Sequence, residues 1–91
     1  NMSAGAHQAD EARRRRLRWR ARRGLLENDL VMARFFDRFE ASLTDADVAG
    51  LDRLLDLADG ELLDLILGRR ELEGEAATPS AQRVLGMLRS V

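Results

Sequence analysis

The side chains of this sequence that are best suited to chemistry lie where a run of arginines meets a glycine. Arg22 and Arg23 precede Gly24, and Glu27 follows three residues later. Arginine offers planar, bidentate donors, glycine lets another backbone approach closely, and a carboxylate in the first turn of a helix is favoured by the helix dipole. The junction therefore presents a donor, an opening and an acceptor, which together suit recognition. A plain helix–helix hinge, with Gly24 as a cap and a weak Arg23–Glu27 surface pair, explains the same residues equally well.

The rest of the sequence offers little for catalysis or metal binding. It has no cysteine and no tyrosine, and all 15 of its basic residues are arginines, so lysine is absent too. The single histidine, His7, lies near the N-terminus. These absences exclude a cysteine nucleophile, a zinc ribbon and a histidine-based triad. Carboxylate pairs such as Asp52 with Asp56 are expected to be solvated. We therefore expect no catalytic residue and no metal site.

The net charge of −1 hides a division of charge along the chain. Residues 1–23 contain eight arginines and two carboxylates, whereas residues 24–91 contain seven arginines and fourteen carboxylates. The arginine run is compatible with a nucleic-acid footprint, but the acidic remainder would repel phosphate. A solvated helix face that balances the acidic body is the simplest interpretation. Among binding functions, the pattern favours an acidic protein partner over nucleic acid.

The elements that position these residues are predicted to be helices, because apolar residues recur at helical spacing. The expected fold is an all-α, small five-helix bundle. Its helices are predicted over about 10–23, 25–42, from the cap at Thr44 to about 58, over 62–67, and from Pro79 onwards. Residues 1–9 are expected to form a disordered N-terminal segment in which Asn1 is a tag-cleavage scar. Residues 10–91 then form a single helical domain.

Burial is predicted from the same periodicity. Leu26, Leu30 and Ala33 are expected to widen the buried stripe of the second helix, and Phe35 is expected to be partly exposed. Trp19 lies on a first helix that is poor in apolar residues. It either anchors a partner or pins that helix to the bundle, and packing is the favoured interpretation.

No segment is apolar enough to span a membrane. The longest apolar run is Leu65-Ile66-Leu67, far short of the roughly 20 residues that a spanning helix needs. No apolar stretch follows the N-terminal arginines, as a secretory signal would require. We expect a cytoplasmic protein that does not insert into membranes and is monomeric.

The junction resembles the SdhE family of FAD assembly factors, also called succinate dehydrogenase assembly factor 2. The R-G-x-x-E motif of that family is matched by Arg23, Gly24 and Glu27. Four further residues match positions usual in the family: Arg16, Trp19, Arg22 and Asp29. The resemblance covers about residues 16–88, and it departs from the family where Leu65 replaces a tryptophan.

This resemblance implies a cytoplasmic, non-catalytic helper. Such a protein binds the flavoprotein subunit of succinate dehydrogenase, or of fumarate reductase, and promotes covalent attachment of FAD to it in a chaperone-like manner. FAD then belongs to the partner, and this chain binds no cofactor stably. The partner-binding residues implied are Arg16, Trp19, Arg22, Arg23, Gly24, Glu27 and Asp29. The alternatives are an antitoxin-like protein-binding module and a basic-arm nucleic-acid binder.

Overall fold

Six α-helices follow one another along the part of the chain that the structure describes. A computed structural model describes residues 5–91, and these residues contain no strand. The helices are α1 (Gly5–Ala9), α2 (Glu11–Arg20), α3 (Leu26–Phe39), α4 (Asp45–Leu55), α5 (Asp59–Ile66) and α6 (Pro79–Arg89). Short 3-10 turns follow α3 at Glu40–Ser42 and precede α6 at Gly74–Ala76. The all-helical class is confirmed, whereas the predicted count of five helices is wrong by one.

Local capping signals set the starts of two helices. The Thr44 hydroxyl accepts a hydrogen bond from the Asp47 N–H at 3.1 Å, and the Asp47 carboxylate accepts one from the Thr44 N–H at 3.1 Å. This reciprocal pair is a capping box. At the start of α6, the Thr78 hydroxyl accepts from the Ala81 N–H at 3.1 Å, and Pro79 takes the first helical position. Both starts were predicted from the sequence.

The core is formed mainly by α3, α4, α5 and α6, with a contribution from Leu17 of α2, and α4 packs most extensively against α6. Gly50 of α4 makes this approach possible, since a Cβ at that position would lie 2.4 Å from the Ser80 carbonyl oxygen. An ion pair joins the same two helices, with 2.9 Å between Nε of the exposed Arg83 and the buried carboxylate of Asp47. The packing of α4 on α6 therefore depends on a glycine and is supported by an ion pair.

The first helix, α1, is the helix that the sequence analysis missed. The Asp45 carboxylate accepts hydrogen bonds from the N–H groups of Ala6 and His7, at 3.0 and 2.9 Å. It thus caps α1 from the start of α4, and these donors hold the pKa of Asp45 below its usual range. The expectation of disorder over residues 1–9 is wrong for residues 5–9. Residues 1–4, with the predicted tag scar, lie outside the described residues.

The orientation of α3 also differs from prediction. Phe35 is fully buried, whereas Leu26 is 67% exposed, Leu30 is 50% exposed and Ala33 lies at the surface. The helix is rotated because the Asn28 side chain faces inward, where its amide donates to the Asp59 carbonyl oxygen at 3.0 Å. A polar residue therefore occupies a core-facing position that apolar periodicity does not reveal.

Burial lowers the pKa of His7, and the nearby carboxylate of Asp45 opposes this shift only in part. Because the pKa of His7 is lower in the folded chain, the unfolded chain binds a proton more readily. The contribution of neutral His7 to the free energy of unfolding is therefore complete above the pKa of the unfolded chain, about 6.5. This contribution is lost as the pH falls from that value through the pKa of the folded chain. We expect the free energy of unfolding to decrease between pH 7 and 5 in chemical denaturation. In a His7→Leu variant this decrease should be smaller, and equal slopes in the two proteins would contradict a buried neutral imidazole.

Candidate functional site

Gly24 lies in the exposed turn between α2 and α3. Its φ angle is +86°, in the left-handed region that other residues adopt only with strain. A Cβ at this position would meet no atom within 4 Å. The backbone therefore requires glycine here, and the space above it is open to another molecule.

Asp29 fixes the path of the chain through this turn. Its carboxylate, in the first turn of α3, accepts a hydrogen bond from the Arg23 N–H at 2.9 Å. This bond ties the segment after α2 to the N-terminal end of α3. Asp29, which was predicted to bind a partner, thus stabilises the turn through a contact within this chain.

Arg23 points into the protein. Its guanidinium forms an ion pair with Asp59 at 3.1 Å from Nε, and it donates to the carbonyl oxygens of Leu57, at 3.3 Å, and Leu55. The side chain is only 25% exposed. The Arg23–Glu27 surface pair of the hinge hypothesis is not formed in the structure. We call the contacts of Arg23 with the chain from Leu55 to Asp59 the Arg23 clamp.

The clamp leaves Gly24 and Glu27 as the accessible part of the motif. Glu27 lies at the surface in the first turn of α3, one helical turn beyond Gly24. Its charge is favoured there by the helix dipole, and it faces solvent. Within the motif, the open space at Gly24 and the Glu27 carboxylate therefore face outward, while the Arg23 guanidinium holds the turn in place.

Trp19 is 71% exposed, so the prediction that it pins α2 to the bundle is wrong. Leu17 and Ala21, each 1% exposed, perform that packing instead. The Arg22 guanidinium lies 5.5 Å from the centroid of the Trp19 ring, a cation–π arrangement that orients both side chains at the surface. Where an exposed apolar side chain is part of a contiguous apolar patch, it is typical of a binding site.

Trp19 forms one wall of a groove between α2 and α3, which we call the α2–α3 groove. Met32 and Phe36, both nearly buried, form its floor, and Arg16 and Arg22 lie on its rim. Its volume is about 770 Å³. The groove brings together four of the predicted residues: Arg16, Trp19, Arg22 and Asp29.

Several arginines of α2 are paired with carboxylates of the acidic body. Arg18 pairs with Glu40 and Asp37 on one side, and Arg20 pairs with Asp52 of α4. Arg16 and Arg22 have no carboxylate of residues 5–91 within 4.0 Å. Their positive charges remain available to a binding partner.

Sequence reasoning missed two parts of this site. The α2–α3 groove was missed because apolar spacing places Met32 and Phe36 inside the bundle and does not reveal the gap between the two helices. Asp59 was missed as the partner of Arg23, since the two are 36 residues apart and no local pattern connects them. Among residues 5–91, no group of histidines and carboxylates is placed to hold a metal ion. None of the helices in that range has the length and hydrophobicity needed to cross a bilayer.

Comparison with known proteins places this chain in a family. The family model Sdh5, described as flavinator of succinate dehydrogenase, matches residues 15–91. The chain belongs to this family. The matched range begins next to Arg16 and includes Trp19, the turn at Gly24, the floor of the α2–α3 groove and the Arg23 clamp.

Individual relatives are named FAD assembly factors. A protein of Ralstonia nicotianae named FAD assembly factor SdhE is 54% identical over 91 residues, which cover 100% of this chain and 96% of that protein. FAD assembly factors SdhE of Acetobacter pasteurianus and Aliivibrio fischeri are 36% and 30% identical, covering 81% and 77% of this chain and 69% and 81% of their own lengths. No solved structure matches the chain.

Loss of the Arg23 clamp should be measurable as a loss of stability. We expect Asp59→Ala to lower the free energy of unfolding by about 1 kcal/mol, since the ion pair is only partly shielded from solvent. Asp56→Ala is the matched control, because Asp56 is exposed in the same connection and has no ion pair within the described residues. Chemical denaturation of both variants tests this. If Asp59→Ala were as stable as Asp56→Ala, the ion pair of the clamp would contribute nothing to stability.

Proposed function

We propose that this protein binds the flavoprotein subunit of succinate dehydrogenase, or of fumarate reductase, and promotes covalent attachment of FAD to it. The observation that carries the proposal is the family match over residues 15–91, together with the name of a relative that covers the full chain. The protein acts in the cytoplasm as a monomer. Its role is chaperone-like: it holds the flavoprotein while the partner's own groups and FAD react.

The geometry of the site supports a binding role rather than a catalytic one. Gly24 and Glu27 are exposed at a turn that Asp29 and the Arg23 clamp hold in shape. A preformed surface loses little conformational entropy when it binds. Next to the turn, Trp19 offers the exposed aromatic side chain that is typical of an interface anchor.

The charge distribution supports a protein partner over nucleic acid. Arg18 and Arg20 are neutralised by carboxylates from other elements, so the arginine run is not a continuous positive surface. Nucleic-acid binding depends on several cations contacting phosphates together. Among the arginines of the run that have no carboxylate of residues 5–91 within 4.0 Å, Arg16 and Arg22 flank an apolar groove. This arrangement suits carboxylates placed beside apolar side chains on a protein surface.

Flavinylation of a purified partner tests the proposal directly. Apo-flavoprotein subunit incubated with FAD should acquire covalent flavin much faster when this protein is added, as seen by in-gel flavin fluorescence after denaturation. In the native organism, deletion of the gene should leave the succinate dehydrogenase flavoprotein without covalent flavin. Full flavinylation in the deletion strain, and no acceleration in the purified reaction, would contradict the proposed function.

A further inference from the structure

The exposed apolar side chains are concentrated on one face of the protein. Of the four large apolar residues that are exposed among residues 5–91, Trp19, Leu26 and Leu30 lie on α2 and α3. Leu26, Leu30 and Ala33 are spaced four and three residues apart, so they follow one side of α3 as far as the groove floor. This strip makes the α2–α3 groove part of an apolar surface rather than an isolated depression.

The size of the groove suits a short stretch of polypeptide. Its volume of about 770 Å³ is in the range of sites that enclose a ligand of several residues or a drug-sized molecule. Met32 and Phe36 form an apolar and polarisable floor, and methionine adapts to side chains of different shape. A bulky apolar side chain of the partner would therefore be buried against the floor and Trp19.

The positive charges at the rim of the groove favour a negatively charged occupant. Arg16 and Arg22 flank the groove without carboxylate partners in residues 5–91. The one carboxylate that lines the groove, Asp29, already accepts the Arg23 N–H. A second copy of this chain docked face to face would bring like charges together, which costs affinity. An occupant with carboxylates on both sides of its apolar residue complements the rim instead.

We propose that the α2–α3 groove binds an acidic segment of the flavoprotein partner that carries a bulky apolar anchor between aspartates or glutamates. The anchor packs on Met32, Phe36 and Trp19, and the flanking carboxylates pair with Arg16 and Arg22. This inference rests on the proposed function for the identity of the partner. It adds a second contact beside the turn at Gly24 and states the chemistry of the surface that meets it.

Titration of the purified flavoprotein subunit with surface variants tests the groove. We expect Ala33→Glu, which adds a carboxylate at the floor, and the double change Arg16→Glu with Arg22→Glu each to weaken binding at least tenfold. The matched controls are Ala49→Glu, at an exposed alanine of α4, and Arg34→Glu, at an exposed arginine of α3 outside the groove. Both should bind like wild type, and circular dichroism should show all four variants folded.

The outcomes separate the two proposals. If wild type does not bind the flavoprotein, the proposed function fails. If wild type binds and the groove variants bind as tightly as their controls, the flavoprotein is still supported as the partner, but the groove proposal is overturned.

Cross-linking identifies the occupant, because the chain has no cysteine of its own. An Ala33→Cys variant labelled with a benzophenone maleimide and irradiated in the complex should attach to a flavoprotein segment in which aspartate or glutamate flanks a large apolar residue. The Ala49→Cys variant should not attach to that segment. Attachment to a basic segment, or to a second copy of this chain, would overturn the proposal. The proposal would also be overturned if a single-stranded oligonucleotide at low salt prevented the label from cross-linking to the flavoprotein.

Discussion

Gly24→Arg is expected to weaken binding to the flavoprotein subunit by at least about 30-fold, the effect of losing roughly 2 kcal/mol at the centre of an interface. The added side chain would fill the open space above the turn, where a Cβ meets no atom of the protein within 4 Å. The substitution also places a bulky residue at a φ of +86°. It should therefore cost about 1–2 kcal/mol of stability, because side chains are strained in the left-handed region.

Gly68→Arg separates the two effects. Gly68 has a φ of +77° and equally open surroundings, but it follows α5 and lies outside the candidate site. The two variants should lose similar stability in thermal denaturation, while only Gly24→Arg loses affinity in calorimetric titration and fails to support flavinylation. If both variants bound the flavoprotein equally well, Gly24 would be a structural turn residue and the site assignment would be wrong.

Gly50→Ala is expected to be the most destabilising single substitution among the glycines of the described chain. The new Cβ would lie 2.4 Å from the Ser80 carbonyl oxygen and 2.6 Å from its carbon. Neither atom belongs to a flexible side chain, so α4 and α6 must move apart. We expect a loss of about 3 kcal/mol, at the upper end of common overpacking effects. The melting temperature should then fall by more than about 10 °C.

Gly86→Ala is the matched control for this effect. Gly86 also lies within a helix, α6, but a Cβ there would meet nothing within 4 Å. The change should be neutral or stabilise the protein by up to about 1 kcal/mol, because alanine favours helices more than glycine does. Melting curves of both variants test the close approach of α4 and α6. Equal melting temperatures would contradict it.

The sequence predicted those features that depend on neighbouring residues. Thr44 and Thr78 act on N–H groups three residues away, so the starts of α4 and α6 are visible in short stretches of sequence. The all-α class follows in the same way from helical spacing. The motif at Gly24 and Glu27 was located because its residues are adjacent and its family pattern is specific.

Features that depend on distant contacts could not be predicted. The helix α1 needs a cap from Asp45, which is about 39 residues away in sequence, and the inward position of Asn28 needs the Asp59 carbonyl. Arg23 was assigned to the partner surface because nothing near it in sequence indicates an internal partner. Trp19 was assigned to packing because apolar spacing does not reveal that Leu17 and Ala21 face the core in its place.

Because Trp19 is exposed at the α2–α3 groove, its intrinsic fluorescence can report binding there. The sequence contains one tryptophan and no tyrosine, so the near-ultraviolet emission of the free chain arises at the α2–α3 groove. Trp19 is 71% exposed and has the Arg22 guanidinium beside it, so we expect its spectrum in the free chain to be that of a solvated indole. Occupation of the groove removes water from the ring, and a shift of the emission to shorter wavelength would follow each docking event without any added label.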